Sequence, residues 1–311
     1  MALLIRAFTL AASDWSCSVV EPEAKPPAYA GAGAAERPDD KVVKSGAQLR
    51  CVWAIVRVLL KDRLSHPRHF ALSTAVNSLD VIVPTLAFAA LVHTFGTLGG
   101  WNFGEVALLL GTSNVALGIS LLVVGAFDSF LFIPILRSGQ FESGLTRPIS
   151  PVLFLAAANL RLYRLGRVIA AFGVVIIGIV MIDHHVWSVV AVLPSSLLFG
   201  SLILSALWFL DSSAGIVLGQ ANDMTRTVPF AASEMAFFPQ GLFPSGVRFF
   251  AQFVLGLGAA TYLPIAFALD KGPHLGWFSL FAGPLVAIVI LLFCRLVWSR
   301  AVAHFEMAGA P

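Results

Sequence analysis

The chain has 311 residues, 58% hydrophobic and only 12% charged, with a mean hydropathy of +0.86. That balance excludes a soluble globular domain and puts the chain in the membrane class. The net charge of +3 says little about partners, because in a membrane protein the placement of Lys and Arg matters more than their sum; no nucleic-acid partner is expected.

The N-terminal MALLIRAFTLAA carries one Arg and a short apolar run, like a weak secretory signal, but SDWSCSVV supplies no cleavage site. EPEAKPPAYAGAGAAERPDDK follows, rich in Pro, Ala, Gly and mixed charge, with too little bulky apolar surface to order itself. Residues 1–46 are therefore expected to be a disordered cytosolic extension, and residues 47–311 the transmembrane domain. From Ala47, the positions Leu49, Val52, Trp53, Val56, Leu59 and Leu60 recur at helical steps, with Arg50, Arg57 and Lys61 elsewhere on the wheel. The pattern predicts an amphipathic helix in the headgroup plane just before the first span.

A span needs about 20 apolar residues to cross roughly 30 Å of hydrocarbon. Six runs meet or approach that: 72–93, 105–127, 167–182, 186–210, 249–269 and 275–297. The third is short, with 15 uncharged residues between Arg167 and Asp183. It is expected to extend backward, with Arg164 and Arg167 snorkelling to the interface. Gly256, Gly258, Pro264 and Pro284 break helical regularity in the last two runs, so the outer half of that pair is expected to be kinked or re-entrant. The fold class is thus an all-α integral membrane protein of six transmembrane helices preceded by an interfacial helix. With the N-terminus inside, 19 of the 20 Lys and Arg fall on the cytosolic side and only Lys271 outside. Both termini are then cytosolic, and the outer connections are short.

No catalytic constellation is present in the sequence: it contains no phosphate loop, HExxH, paired-Cys motif or GxSxG. Cys17, Cys51 and Cys294 have neither disulfide nor metal spacing. His184 and His185 read as a turn at the outer surface. Asn77 and Asp80 mark either a polar path or interhelical hydrogen bonds, since an ionisable group inside a span is costly. If the span begins late, Asp80 instead caps the helix at the interface. Thr112, Ser113 and Asn114 lie midway along the second run, where small and hydroxyl residues serve helix packing or contact a substrate. Between the second and third runs, GQFESGLTRPISP (139–151) cannot cross a lipid core.

Several segments together resemble the ABC-2 family of transporter permeases, in the six-span group that carries no ATPase of its own. GGWNFGEVALLLG (99–111) is similar to the family's Gly-Trp segment. Gly139, Glu142, Leu145, Arg147 and Pro148 stand in the order of its loop after the second span. Residues 237–269 resemble its aromatic-Pro segment and fifth span, and Trp298 to Phe305 its closing tail. Gly256, where the family often has Pro, and Phe305, where Tyr is usual, depart from the pattern. The resemblance implies a permease that performs no bond chemistry and binds no cofactor, with ATP and Mg on a partner ABC ATPase. It also implies a second permease in a homo- or heterodimer and a multi-pass location in the inner (cytoplasmic) membrane. The 139–151 loop is then the ATPase-coupling element. Phe141 and Leu145 would be four apart on a short helix entering a groove, and Glu142 and Arg147 would set its register. The apolar spans suit export of a hydrophobic or amphipathic substrate. The alternative is an ion-coupled secondary transporter built on Asp80 and Asn77; a lipid-acting membrane enzyme lacks an acid, base or metal set.

Overall fold

A computed structural model describes residues 57, 67–139, 151–182, 184–219, 223–271 and 276–307. The expected extension, the interfacial helix apart from Arg57, and Phe141, Glu142, Leu145, Arg147 and Pro148 of the coupling loop lie outside the described residues. The elements are α1 (Pro67–Phe95), α2 (Phe103–Val124) with a 3-10 turn (Gly125–Phe127), α3 (Ser129–Arg137), α4 (Pro151–Ala158) and a second 3-10 turn (Leu162–Arg164). Then come α5 (Leu165–Val180), α6 (Val186–Leu218), α7 (Asp223–Phe237), a third 3-10 turn (Gln240–Leu242) and α8 (Ser245–Phe249), which runs into a π turn (Phe250–Val254). The chain closes with α9 (Leu257–Ala260), α10 (Tyr262–Ala268) and α11 (Phe278–Met307). Among the described residues there is no strand. Five helices are long and apolar enough to cross a membrane, six if the bent pair Ser245–Val254 and Leu257–Ala268 counts as one.

The bundle is built round α2, whose residues are nearly all buried. Gly104, Gly111, Gly118 and Gly125 recur at seven-residue steps and turn one bare stripe toward α5. A Cβ on Gly111 would lie 2.9 Å from the backbone nitrogen of Val175, and one on Gly104 2.8 Å from the Cβ of Met181. Small residues in register let two backbones approach closely where lipid supplies no hydrophobic drive. Gly104 meets the end of α5 and Gly125 meets Arg164 at its start, so the two helices run oppositely. On its other side α2 packs on α6 through Ser120 and Ser205, whose hydroxyls are 3.2 Å apart, and through Ala116 at Gly200. In contrast, α1 buries only Val81, Phe88 and Val92. Together with Phe281, Leu285, Ile288, Leu292 and Leu296 of α11, its Leu72, Val76, Leu79, Val83 and Leu86 make exposed apolar walls suited to lipid.

The fifth predicted run takes a different course. From its foot, α7 has Thr225 beside Asp211 (2.7 Å), Phe230 against Trp208 and the Ala236 carbonyl accepting from Ser113 (3.1 Å); Phe238 then meets Phe88 and Leu242 meets Gly99. It therefore traverses the bundle from the Asp211 end to the Gly99 end. Residues 249–269 do not form one straight helix: the arms Ser245–Val254 and Leu257–Ala268 bend by 78°. Their tip, Gly256, lies among Ile203, Val286 and Ile290, and the second arm climbs back until Lys271 reaches Gly100. Gly256 adopts φ +79, a left-handed conformation suited to glycine, so this residue and not Pro264 makes the break. The bend agrees with the kinked or re-entrant course expected for this part of the chain, whereas the course of α7 was not expected. Asp223, Arg226, Pro229 and Glu234 depress the hydropathy of α7, whereas both hairpin arms are apolar. Arg248, whose guanidinium donates to Phe243 (3.2 Å), accordingly sits at the end opposite Arg226.

Candidate functional site

Arg167 emerges from the start of α5 midway along the bundle. Its Nη2 lies 2.6 Å from Asp80 Oδ2 on α1, and its Nη1 donates to Asn114 Oδ1 on α2 at 3.1 Å. One guanidinium therefore ties three helices together, and its charge also reaches Glu234 on α7. Two of the three polar residues singled out from sequence, Asp80 and Asn114, are brought together through it. Asn77 is not; its amide turns back to the Ser73 carbonyl of its own helix (3.0 Å). Asp80 does not cap a helix start either, since α1 begins at Pro67. Asp80 remains half exposed while Arg167 is mostly covered, so the carboxylate side of the bridge faces outward and the guanidinium side faces the core. Arg164 likewise does not snorkel. It turns inward and donates to the Leu121 carbonyl at 2.6 Å, over the bare surface of Gly125.

Each end of α2 carries a carboxylate that serves two purposes. At one end, Glu105 accepts from the Asn102 backbone N–H (2.7 Å), closing the first turn of α2, and receives Lys271 at 2.6 Å. Lys271 also donates to the Gly100 carbonyl (2.7 Å), and Trp101 packs on Tyr262 with ring centroids 5.8 Å apart. The hairpin's return arm is thereby clasped to the α1–α2 turn. His184 and His185 lie in the α5–α6 turn at this end, with His185 3.9 Å from Asp270. Among the described residues no group of three or more His, Cys, Asp or Glu side chains could hold a metal.

At the other end, Asp128 caps α3 by accepting from the Phe130 N–H (3.2 Å). The same carboxylate accepts from Arg226 Nη2 at 3.3 Å, with Arg226 Nε 3.2 Å from its other oxygen. The Arg226 guanidinium lies over the rings of Phe130 (4.7 Å) and Phe230 (5.4 Å), a cation–π arrangement joining α3 to α7. Behind it, buried Asp211 of α6 accepts from the Ser129 N–H (2.9 Å) and from Thr225 Oγ1 (2.7 Å). Arg137 closes the far end of α3 on the Gly219 carbonyl (2.8 Å). Beside this knot, Phe127, Phe132, Phe209 and Trp298 form one aromatic cluster that locks α3, α6 and α11 together.

Arg226 and Asp211 were not among the residues expected from sequence, and Arg167 was expected to snorkel to the interface, not to bridge three helices. Their hydrogen-bonding partners lie 53 to 98 positions away, except for Thr225 beside Asp211, so no local pattern announces them. The glycine stripe was readable, as four glycines at equal steps. Of the predicted coupling loop, only Gly139 and Pro151 are described; Gly139 takes φ +72 immediately after α3.

A family model described as "ABC-2 family transporter protein" matches residues 79–309. No curated protein and no solved structure matches the chain.

Proposed function

Because the chain belongs to the ABC-2 transporter family and is a multi-pass membrane protein, we propose that it is the permease subunit of an ATP-binding cassette transporter. It exports a hydrophobic or amphipathic substrate across the inner (cytoplasmic) membrane. The Asp211 end faces the cytosol, as the Lys and Arg distribution favours, and both termini lie there. The crossings are α1, α2, α5, α6, α7 and α11, while 245–268 re-enters from the outer side. ATP and Mg are handled by a separate ATPase, which engages Phe141, Glu142, Leu145, Arg147 and Pro148 beyond Gly139. A second permease completes the path, and alternating access is a two-state rearrangement of the pair biased by ATP binding on the partner chain.

The observation that supports this most is the Asp80–Arg167–Asn114 bridge. A charge pair at mid-depth in an otherwise apolar chain fits a transport protein, since an ionisable group inside a span is costly and is kept where it serves function. The pairing also weighs against the ion-coupled alternative, since such a carrier requires a carboxylate free to take up and release its ion.

The test is purification in mild detergent with a co-expressed ABC ATPase. Retention of the ATPase, with turnover stimulated by the permease, is the expected result. Absence of both, with transport driven by a proton gradient and indifferent to ATP, would overturn the proposal. Within the loop, Leu145→Glu is expected to abolish ATPase retention; unchanged retention would put the contact elsewhere.

A further inference from the structure

We propose that Asp128, Asp211 and Arg226 are positioning residues of the transport cycle, forming a rigid joint through which displacement of α3 moves α7. The proposal rests on the ATPase-coupled function above, because α3 is the helix that leads directly into the Gly139–Pro151 segment.

Three observations carry it. First, α3 is held at both ends. Its N-terminus is fixed by the Asp128 cap and by the Ser129 N–H on Asp211, and its C-terminus by Arg137 on the Gly219 carbonyl. Ile133 fills the space at Gly215 between these points, 3.1 Å from where a Cβ would stand. Secured at these points, α3 is held against α6 along its whole length. Second, the foot of α7 is joined to that body by charge and by rings. Arg226 meets both oxygens of Asp128 and lies between Phe130 of α3 and Phe230 of α7, and Thr225 shares the Asp211 carboxylate with the α3 backbone. Arg presents a planar fork that resists reorientation when paired and stacked, which Lys would not reproduce. Third, α7 continues without interruption from this joint to Ser113 in mid-bundle, and the 3-10 turn beyond it reaches Gly99 and Tyr262. Movement at its foot therefore arrives both at the central helix and at the hairpin. Spatial proximity alone does not carry coupling between distant sites; α7 carries it by taking two positions, and this is what the experiment reads.

The pairings divide the labour. Asp211 is buried and bonded on both oxygens, so it sets where α3 and the foot of α7 lie relative to α6. Asp128 and Arg226 make an ion pair between α3 and α7. Both of these residues therefore act through the position of α7; neither is placed at the mid-depth bridge.

The experiment uses the full chain co-purified with its ATPase in lipid nanodiscs. A nitroxide is attached at Leu242→Cys, with Cys17, Cys51 and Cys294 replaced by Ser, and the label spectrum is compared before and after ATP, Mg and orthovanadate. In the otherwise unaltered complex the nucleotide changes the spectrum of this label in the 3-10 turn beyond α7. Asp128→Asn and, independently, Arg226→Gln are expected to reduce that change about fivefold or more, the lower range of ordinary coupling between sites. ATPase retention and ATP turnover stay unchanged in both, and the conservative Asp128→Glu, which keeps the carboxylate facing Arg226, recovers most of the response. A full-size response in Asp128→Asn and Arg226→Gln would overturn the joint. So would loss of the ATPase from them, which would mean a merely structural role. Failure of every version, including the unaltered one, to hold an ATPase would instead overturn the proposed function and the joint with it.

Discussion

The two ends of α2 are closed by the same device, a carboxylate that caps a helix while holding a cation from much later in the chain, yet they are built to different strengths. At the Gly99 end, Glu105 and Lys271 meet at 2.6 Å with one aromatic pair beside them. At the Asp211 end, the Asp128–Arg226 contact is longer, 3.2 Å, but a second buried carboxylate, two rings over the guanidinium and a four-ring cluster support it. Distance alone would rank the first clasp as stronger. The number of groups that support each clasp ranks them the other way.

The largest expected effect is from Asp128→Ala, which removes the α3 cap and leaves the Arg226 charge half buried without its partner. A loss of about 2–4 kcal/mol is expected, since breaking such a pair by deleting one member costs more than the pair contributes. It would be measured by equilibrium denaturation in mixed micelles. Asp211→Asn keeps the volume but weakens the bonds to Ser129 and Thr225, with an expected loss of about 1–3 kcal/mol by the same measurement. At the other clasp, Glu105→Gln should cost about 1 kcal/mol or less, because Lys271 is part-exposed and retains the Gly100 carbonyl. A larger loss than from Asp211→Asn would reverse the ranking. The smallest effect concerns salt. Raising ionic strength from about 0.1 M to about 1 M shortens the screening length to roughly 3 Å. The Glu105→Gln difference should then shrink while the Asp128→Ala difference holds, when the two denaturation series are compared.

The sequence made the apolar runs legible because lipid demands long uncharged stretches, and the family resemblance was legible because Gly99–Gly111 and Gly139–Pro148 keep their order. The course of α7 was hidden for the same physical reason. Hydropathy scores a segment by what it exposes to lipid, but Arg226 and Pro229 of α7 are turned toward protein, where Asp128 and α6 meet their cost. Residues 245–268 are apolar in both arms, and the left-handed Gly256 marks the bend between them. Asp80 and Asn114 could be picked out as polar residues in apolar surroundings. That Arg167 joins them could not, because 53 and 87 positions separate it from its partners.

The glycine stripe on α2 also bears on how the chain is made. Gly104, Gly111, Gly118 and Gly125 face α5 and the residues at its two ends, and the last of these, Met181, is synthesised 56 residues after Gly125. At ribosomal speeds of about 5–20 residues per second, α2 waits roughly 3–11 s with a bare backbone groove along one side before its complement emerges. During that interval any other helix with small residues at matching steps, including one from a neighbouring nascent chain, can occupy the groove, so the same feature that makes the mature core tight makes the order of emergence from the ribosome part of its specification.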